Sequence, residues 1–133
     1  MNTSQKKILY VDDDPEDREF LSEAIREVNP EVEIVEAENG IKALEYLDNS
    51  KTAQLPCLIV LDINMPFLDG KATFERIRRD TELDRVPVIV LSSSEKPMDK
   101  IFFNKRGVDY FTKPTSISYF TTLASHIIDV CCH

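Results

Sequence analysis

At 133 residues, 42% hydrophobic and 30% charged, the chain has the size and balance of one compact globular domain. No apolar run in it approaches the ~20 residues a membrane helix needs. Net charge is −8 and uneven: residues 1–50 carry five Lys/Arg against fourteen Asp/Glu, the remainder eleven against ten; such an acidic domain is repelled by phosphate backbones and anionic lipid, which argues against nucleic-acid or membrane binding.

The first apolar run, Ile8-Leu9-Tyr10-Val11, is broken by Asp12-Asp13-Asp14. It therefore reads as a strand rather than a secretory leader, and a cytoplasmic location is expected. Pro15 suits the first helical position with Asp14 as its cap, ahead of Phe20, Leu21, Ala24, Ile25 and Val28 on one face. Val32 to Ala37 alternates polar and apolar, as an edge strand does. Asn39 precedes a helix with Ile41, Leu44 and Leu47 on one stripe. Leu58 to Leu61 and Val88 to Leu91 are continuous apolar runs, the mark of strands covered on both faces. Between them, Asp69-Gly70 opens a helix carrying Phe74 and Ile77. Pro97 opens another that carries Met98, Ile101 and Phe102 and stops at Gly107. Val108 to Phe111 is a short edge strand, and a last helix repeats Ile117, Phe120, Leu123, Ala124, Ile127 and Ile128. Cys57, Cys131 and Cys132 are odd in number and lack metal-ligand spacing. Cys57 reads as a small buried hydrophobe and the terminal pair as incidental, all three as reduced thiols.

Strand–helix alternation implies parallel strands joined by right-handed crossovers. With the second and fifth strands at the edges, the order is 2-1-3-4-5, and ligands bind beyond the carboxyl ends of the strands where the winding reverses. The chain places Asp12-Asp13-Asp14, Asp62, Ser92 and Thr112-Lys113-Pro114 at those ends. Clustered carboxylates repel by roughly 4 kcal/mol per pair at ~4 Å and an effective dielectric of 20. Such a cluster calls for protons or a cation, and an all-oxygen set suits Mg²⁺ sharing its shell with a phosphoryl group. Asp62 would attack phosphorus in line while Lys113 and the Ser92 hydroxyl hold its oxygens.

In order, the motifs are Ile8 to Asp14, Leu61-Asp62-Ile63-Asn64-Met65-Pro66, Asp69-Gly70, Ile77-Arg78, Pro87 to Ser92, and Tyr110-Phe111-Thr112-Lys113-Pro114. This series resembles the receiver domains of two-component response regulators over nearly the whole chain. The resemblance implies a flavodoxin-like three-layer αβα sandwich and a single receiver domain over 1–133 without an output domain. It implies Asp62 as phosphoacceptor, Asp13 as direct Mg²⁺ ligand, Asp12 as a ligand through water, and the Asn64 backbone carbonyl as a further ligand. Ser92 matches the switch hydroxyl, Lys113 the phosphoryl-binding lysine, and Tyr110 the aromatic that rotates on activation. A cis Lys113–Pro114 peptide is implied as well. The phosphoryl source would be a sensor histidine kinase or a histidine phosphotransfer protein, and the output a downstream protein target. The residue 49–56 loop and the Asp80–Pro87 segment are similar to single-domain regulators paired with phytochrome-type kinases. Asn64 and Ser94 fall where the family tunes the lifetime of its phosphorylated state.

Each residue also has an ordinary reading. Asp14 is a helix cap, and Asp12 or Asp13 alone would be solvated loop acids. Tyr110 is equally well a half-buried edge aromatic. His126 and His133 read as surface residues, and Phe102, Phe103 and Phe111 as core or as part of a homodimer face. An aspartate-dependent phosphatase would need a second acid two residues past Asp62, where Asn64 stands. A receiver without chemistry is disfavoured by the full set of site residues. The scattered Gly40, Gly70 and Gly107 form no nucleotide-binding loop.

Overall fold

A computed structural model describes residues 6–65, 69–93, 96–113 and 116–132. Five strands alternate with five helices: β1 (Lys7–Val11), α1 (Pro15–Val28), β2 (Glu33–Ala37), α2 (Gly40–Ser50), β3 (Leu58–Asp62), α3 (Gly70–Arg79), β4 (Val88–Ser92), α4 (Pro97–Asn104), β5 (Asp109–Thr112) and α5 (Ile117–Cys132). All strand pairs are parallel, in the order β2-β1-β3-β4-β5. The flavodoxin-like αβα sandwich expected from the sequence is the fold observed.

Alternation along the strands builds two cores. Leu9, Val11, Ile59, Leu61, Val88 and Val90 pack under α2, α3 and α4 through Leu47, Phe74 and Phe103. Ile8, Tyr10, Leu58, Val60, Ile89 and Leu91 face α1 and α5 through Leu21, Ile25, Ala124 and Ile127. Register sets Val11 opposite Leu61, Asp62 opposite Leu91 and Ser92 opposite Thr112, so the strands finish along one edge.

The helices next to that edge start with side-chain caps. Asp14 accepts from the backbone N–H groups of Glu16 and Asp17, Asn39 from Lys42, and Asp69 from Ala72. The start of α3 lies tight against the end of β3: Gly70 donates its N–H to the Ile63 carbonyl at 3.2 Å, and a Cβ on Gly70 would stand 2.3 Å from Ile63 Cα.

Five apolar assignments need correction. On α1, Phe20 and Val28 are exposed, while Leu21, Ala24 and Ile25 face the core. Ile41 is exposed on α2, where Ala43 and Leu47 face the core. On α4 two of the three residues expected inward are turned outward, Met98 72% exposed and Ile101 exposed too, while Phe102 is half-buried against the core. Phe103 takes the inner position instead, its ring edge-on to Phe74 at 5.3 Å between centroids. One large aromatic on an eight-residue helix decides which side is buried, because its area outweighs that of two aliphatics.

The cysteines depart further. Cys57 and Cys131, 74 residues apart, form a disulfide with Cα atoms 5.5 Å apart, in place of the expected reduced thiols. The final helix runs back across the sheet and brings its last turn to the edge where β3 begins. Lys6 Nζ donates to the Cys131 carbonyl at 3.2 Å, and Cys57 N donates to the Lys7 carbonyl at 2.8 Å. The Lys113–Pro114 peptide and Ser94 lie outside the described residues. Among the described residues, no helix is long and apolar enough to cross a membrane.

Candidate functional site

Strand β1 ends at Val11, and the chain continues as Asp12-Asp13 before the capped start of α1. Asp12 is fully buried and held from three directions. Its Oδ1 accepts from the Asp14 backbone N–H at 2.9 Å, and its Oδ2 accepts from the Tyr10 hydroxyl at 2.8 Å and pairs with Lys113 Nζ at 2.9 Å. Behind it, Arg18 donates to the Asp12 carbonyl at 2.6 Å and pairs with Glu36, which also accepts from Ser22. Asp13 is exposed. Asp62, at the end of β3, is 2% exposed. Asp12, Asp13 and Asp62 each offer a carboxylate oxygen, all within 4.8 Å of one another.

Lys113 follows β5 and reaches back over the edge. Its Nζ lies 2.8 Å from Asp17 Oδ2, 2.9 Å from Asp12 Oδ2 and 3.4 Å from Asp62 Oδ2. Burial pulls the ammonium toward its neutral form, but the Asp17 hydrogen bond and the Asp12 and Asp62 charges outweigh it and raise its pKa. Asp62 moves the other way from an ordinary carboxylate. Burial lifts it from 3.8 to about 7, with Lys113 opposing and Asp12 adding to the rise. Tyr10 is also pushed up, by burial and then by Asp12, so its phenol stays a donor.

On the far side, the buried Ser92 hydroxyl accepts from Asn64 Nδ2 at 3.1 Å, and Asn64 N donates to Asp62 Oδ1 at 3.1 Å. The structure thus brings together Asp12, Asp13, Asp62, Asn64, Ser92 and Lys113. Tyr110 stands apart on β5, half-buried, with its ring 6.3 Å from that of Phe103. Sequence reasoning missed Asp17 and Tyr10. The available signals were that Asp17 is the third residue after the Asp14 cap, and that Tyr10 shares strand parity with Asp12.

An all-oxygen set of three carboxylates, two of them buried, fits a hard divalent cation. The Lys113 ammonium supplies one positive charge against the three carboxylates of that cluster. The site can hold a cation and an anion side by side.

The family model described as "Response regulator receiver domain" matches residues 8–124. The chain belongs to that family. This receiver is therefore a signalling domain of the two-component type. It is 30% identical over 122 residues to the sensor histidine kinase CheAY of Helicobacter pylori, covering 91% of this chain but spanning only 15% of CheAY. It is 29% identical over 116 residues to the response regulator Rcp1 of Synechocystis, covering 84% of this chain and 79% of Rcp1. Among solved structures, the phosphorylated cyanobacterial phytochrome response regulator RcpA superposes on the receiver with a TM-score of 0.86. That match has 28% identity and covers 97% of this chain and 95% of RcpA. The Mn(2+)-bound form of Rcp1 superposes with a TM-score of 0.81 at 25% identity, covering 93% of this chain and 92% of that one.

Proposed function

We propose that this receiver accepts one phosphoryl group on Asp62 from a phosphohistidine of a sensor histidine kinase or a histidine phosphotransfer protein. The observation that carries the proposal is the convergence of Asp12, Asp13 and Asp62 within 4.8 Å beside the Lys113 ammonium. In the transfer, an Asp62 carboxylate oxygen bonds to phosphorus as the phosphorus–nitrogen bond of the donor breaks, and the imidazole nitrogen keeps the electron pair and takes a proton. Lys113 binds a phosphoryl oxygen. The Ser92 hydroxyl, which accepts from Asn64 Nδ2, moves to donate to another. Space vacated by Ser92 would admit the Tyr110 ring and repack the face of α4, β5 and α5 toward a downstream protein target. Phosphorylation shifts that equilibrium only as far as its contacts differ between the two arrangements.

Asp13, Asp62 and the Asn64 backbone carbonyl would hold Mg²⁺, with Asp12 acting through water. When bound, the cation supplies charge neutralisation that lets an anionic carboxylate meet an anionic donor. The Mn(2+)-bound form of Rcp1 supports a divalent ion here, and abundance and oxygen preference favour Mg²⁺. Asn64 cannot donate and recover a proton as a general acid would, so the receiver is a phosphoacceptor and not a turnover phosphatase. Its likeness to RcpA supports a phytochrome-type kinase as the donor.

Intact-mass spectrometry after incubation with acetyl phosphate and Mg²⁺ tests the assignment. One added phosphoryl group is expected, absent with EDTA and absent in Asp62→Asn. Modification that persists in EDTA or in the variant would sink it.

A further inference from the structure

An ammonium group has three N–H donors, and Lys113 presents its Nζ to three carboxylates: Asp17 at 2.8 Å, Asp12 at 2.9 Å and Asp62 at 3.4 Å. The group is only 12% exposed, which leaves water little room as an alternative partner. A phosphoryl oxygen arriving on Asp62 can therefore engage Lys113 only if one of those partners yields. Asp62 is the attachment point. Asp12 is completely buried and anchored by Tyr10 and Asp14. Asp17 is the remaining partner, 26% exposed, on a side chain with access to water once released.

We propose that Asp17 is a positioning residue that competes with the phosphoryl group for Lys113. Before phosphorylation it draws the ammonium toward α1 and off Asp62. After phosphorylation it is displaced, and the free energy of its contact is subtracted from that of phosphoryl binding. Backbone geometry fixes the contact, because the Asp14 cap accepts from Asp17 N and orients the first turn of α1 toward the strand edge. This role rests on Lys113 binding the phosphoryl group, as assigned above. It adds a control acting through the first helix, with no direct contact to the acceptor.

The probe is beryllofluoride, an inert phosphoryl mimic, titrated calorimetrically into the intact receiver at saturating Mg²⁺. Wild-type uptake that is lost in Asp62→Asn establishes the underlying reading independently. Removing a charge-assisted hydrogen bond to a competing acid should tighten beryllofluoride binding by about fivefold to tenfold in Asp17→Asn. Asp17→Ala should shift in the same direction. Glu16→Gln removes one charge from the same exposed turn and should stay within about twofold. In the absence of beryllofluoride, the freed Lys113 should sit more firmly on Asp62 and Asp12, so Mg²⁺ should bind more weakly to Asp17→Asn than to wild type. Opposite signs for the two ligands distinguish competition from general damage, which would weaken both. Unchanged or weaker beryllofluoride binding, Mg²⁺ binding that does not weaken, or an equal gain in Glu16→Gln would overturn the proposal.

Discussion

Asp62 is the proposed nucleophile, and burial, with the neighbouring Asp12 adding to it, outweighs Lys113 and lifts its pKa from 3.8 to about 7. The linkage has a definite sign. Between those two values the folded protein holds a proton on Asp62 that the unfolded chain has lost, so stability declines as pH rises through that window. Below about pH 4 both states are protonated and the contribution is fully present. Urea unfolding in EDTA should therefore show a midpoint that falls from pH 4.5 to pH 7.5, less steeply in Asp62→Asn. The difference between the two proteins isolates this one group from the other acids. A steeper decline in the variant would contradict the assignment. Added Mg²⁺ should stabilise the wild type more at pH 7.5 than at pH 4.5, because cation and proton compete for the same oxygens. That Lys113 stands beside Asp62 and Asp12 was readable from its place after β5. Its partner Asp17 was not, since the pairing spans 96 residues and depends on the rotation of α1 about its axis.

The start of α3 is built into the end of β3. A methyl group on Gly70 would lie 2.3 Å from Ile63 Cα and 2.7 Å from the Asp62 carbonyl oxygen, both backbone atoms with little freedom to yield. Gly70→Ala should therefore destabilise the fold by about 1–3 kcal/mol and displace the segment carrying Asp62 and Asn64. Thermal unfolding and Mg²⁺ titration would register the two effects together, and a variant matching wild type in both would show that the helix can back away freely. From sequence, Gly70 was visible only as a motif residue following Asp69. The physical need for it comes from two elements meeting, which no local pattern reports. Helix α4 shows the same limit: periodicity located the helix but put Met98 and Ile101 inward, whereas Phe103 is the buried residue. Helix starts were read better: Asp14 is at its expected N-cap, and Asn39 and Asp69, expected only to precede helices, cap α2 and α3.

Strand order and the gathering of acids at one edge were legible because they follow from continuity: apolar runs mark central strands, and parallel strands must end together. The Cys57–Cys131 bridge follows from closure of the whole chain instead, as α5 returns to the edge where β3 begins. Odd cysteine count and wide spacing conceal such a pairing from any local pattern. The bridge closes a loop whose ends are 74 residues apart, so it restricts the unfolded chain strongly; closing a loop of that size contributes about 2–4 kcal/mol. Reduction, or Cys131→Ser, should lower the thermal midpoint by roughly 5–15 °C. The bridge sits at the strand-start edge, across the sheet from Asp12, Asp62 and Lys113 at the strand ends. Phosphorylation by acetyl phosphate at 20 °C should accordingly proceed at a similar rate in the oxidised and reduced forms. Alkylation of native, non-reduced protein should spare Cys57 and Cys131. Modification of both under those conditions, or equal midpoints with and without reductant, would show that the bridge does not form in solution.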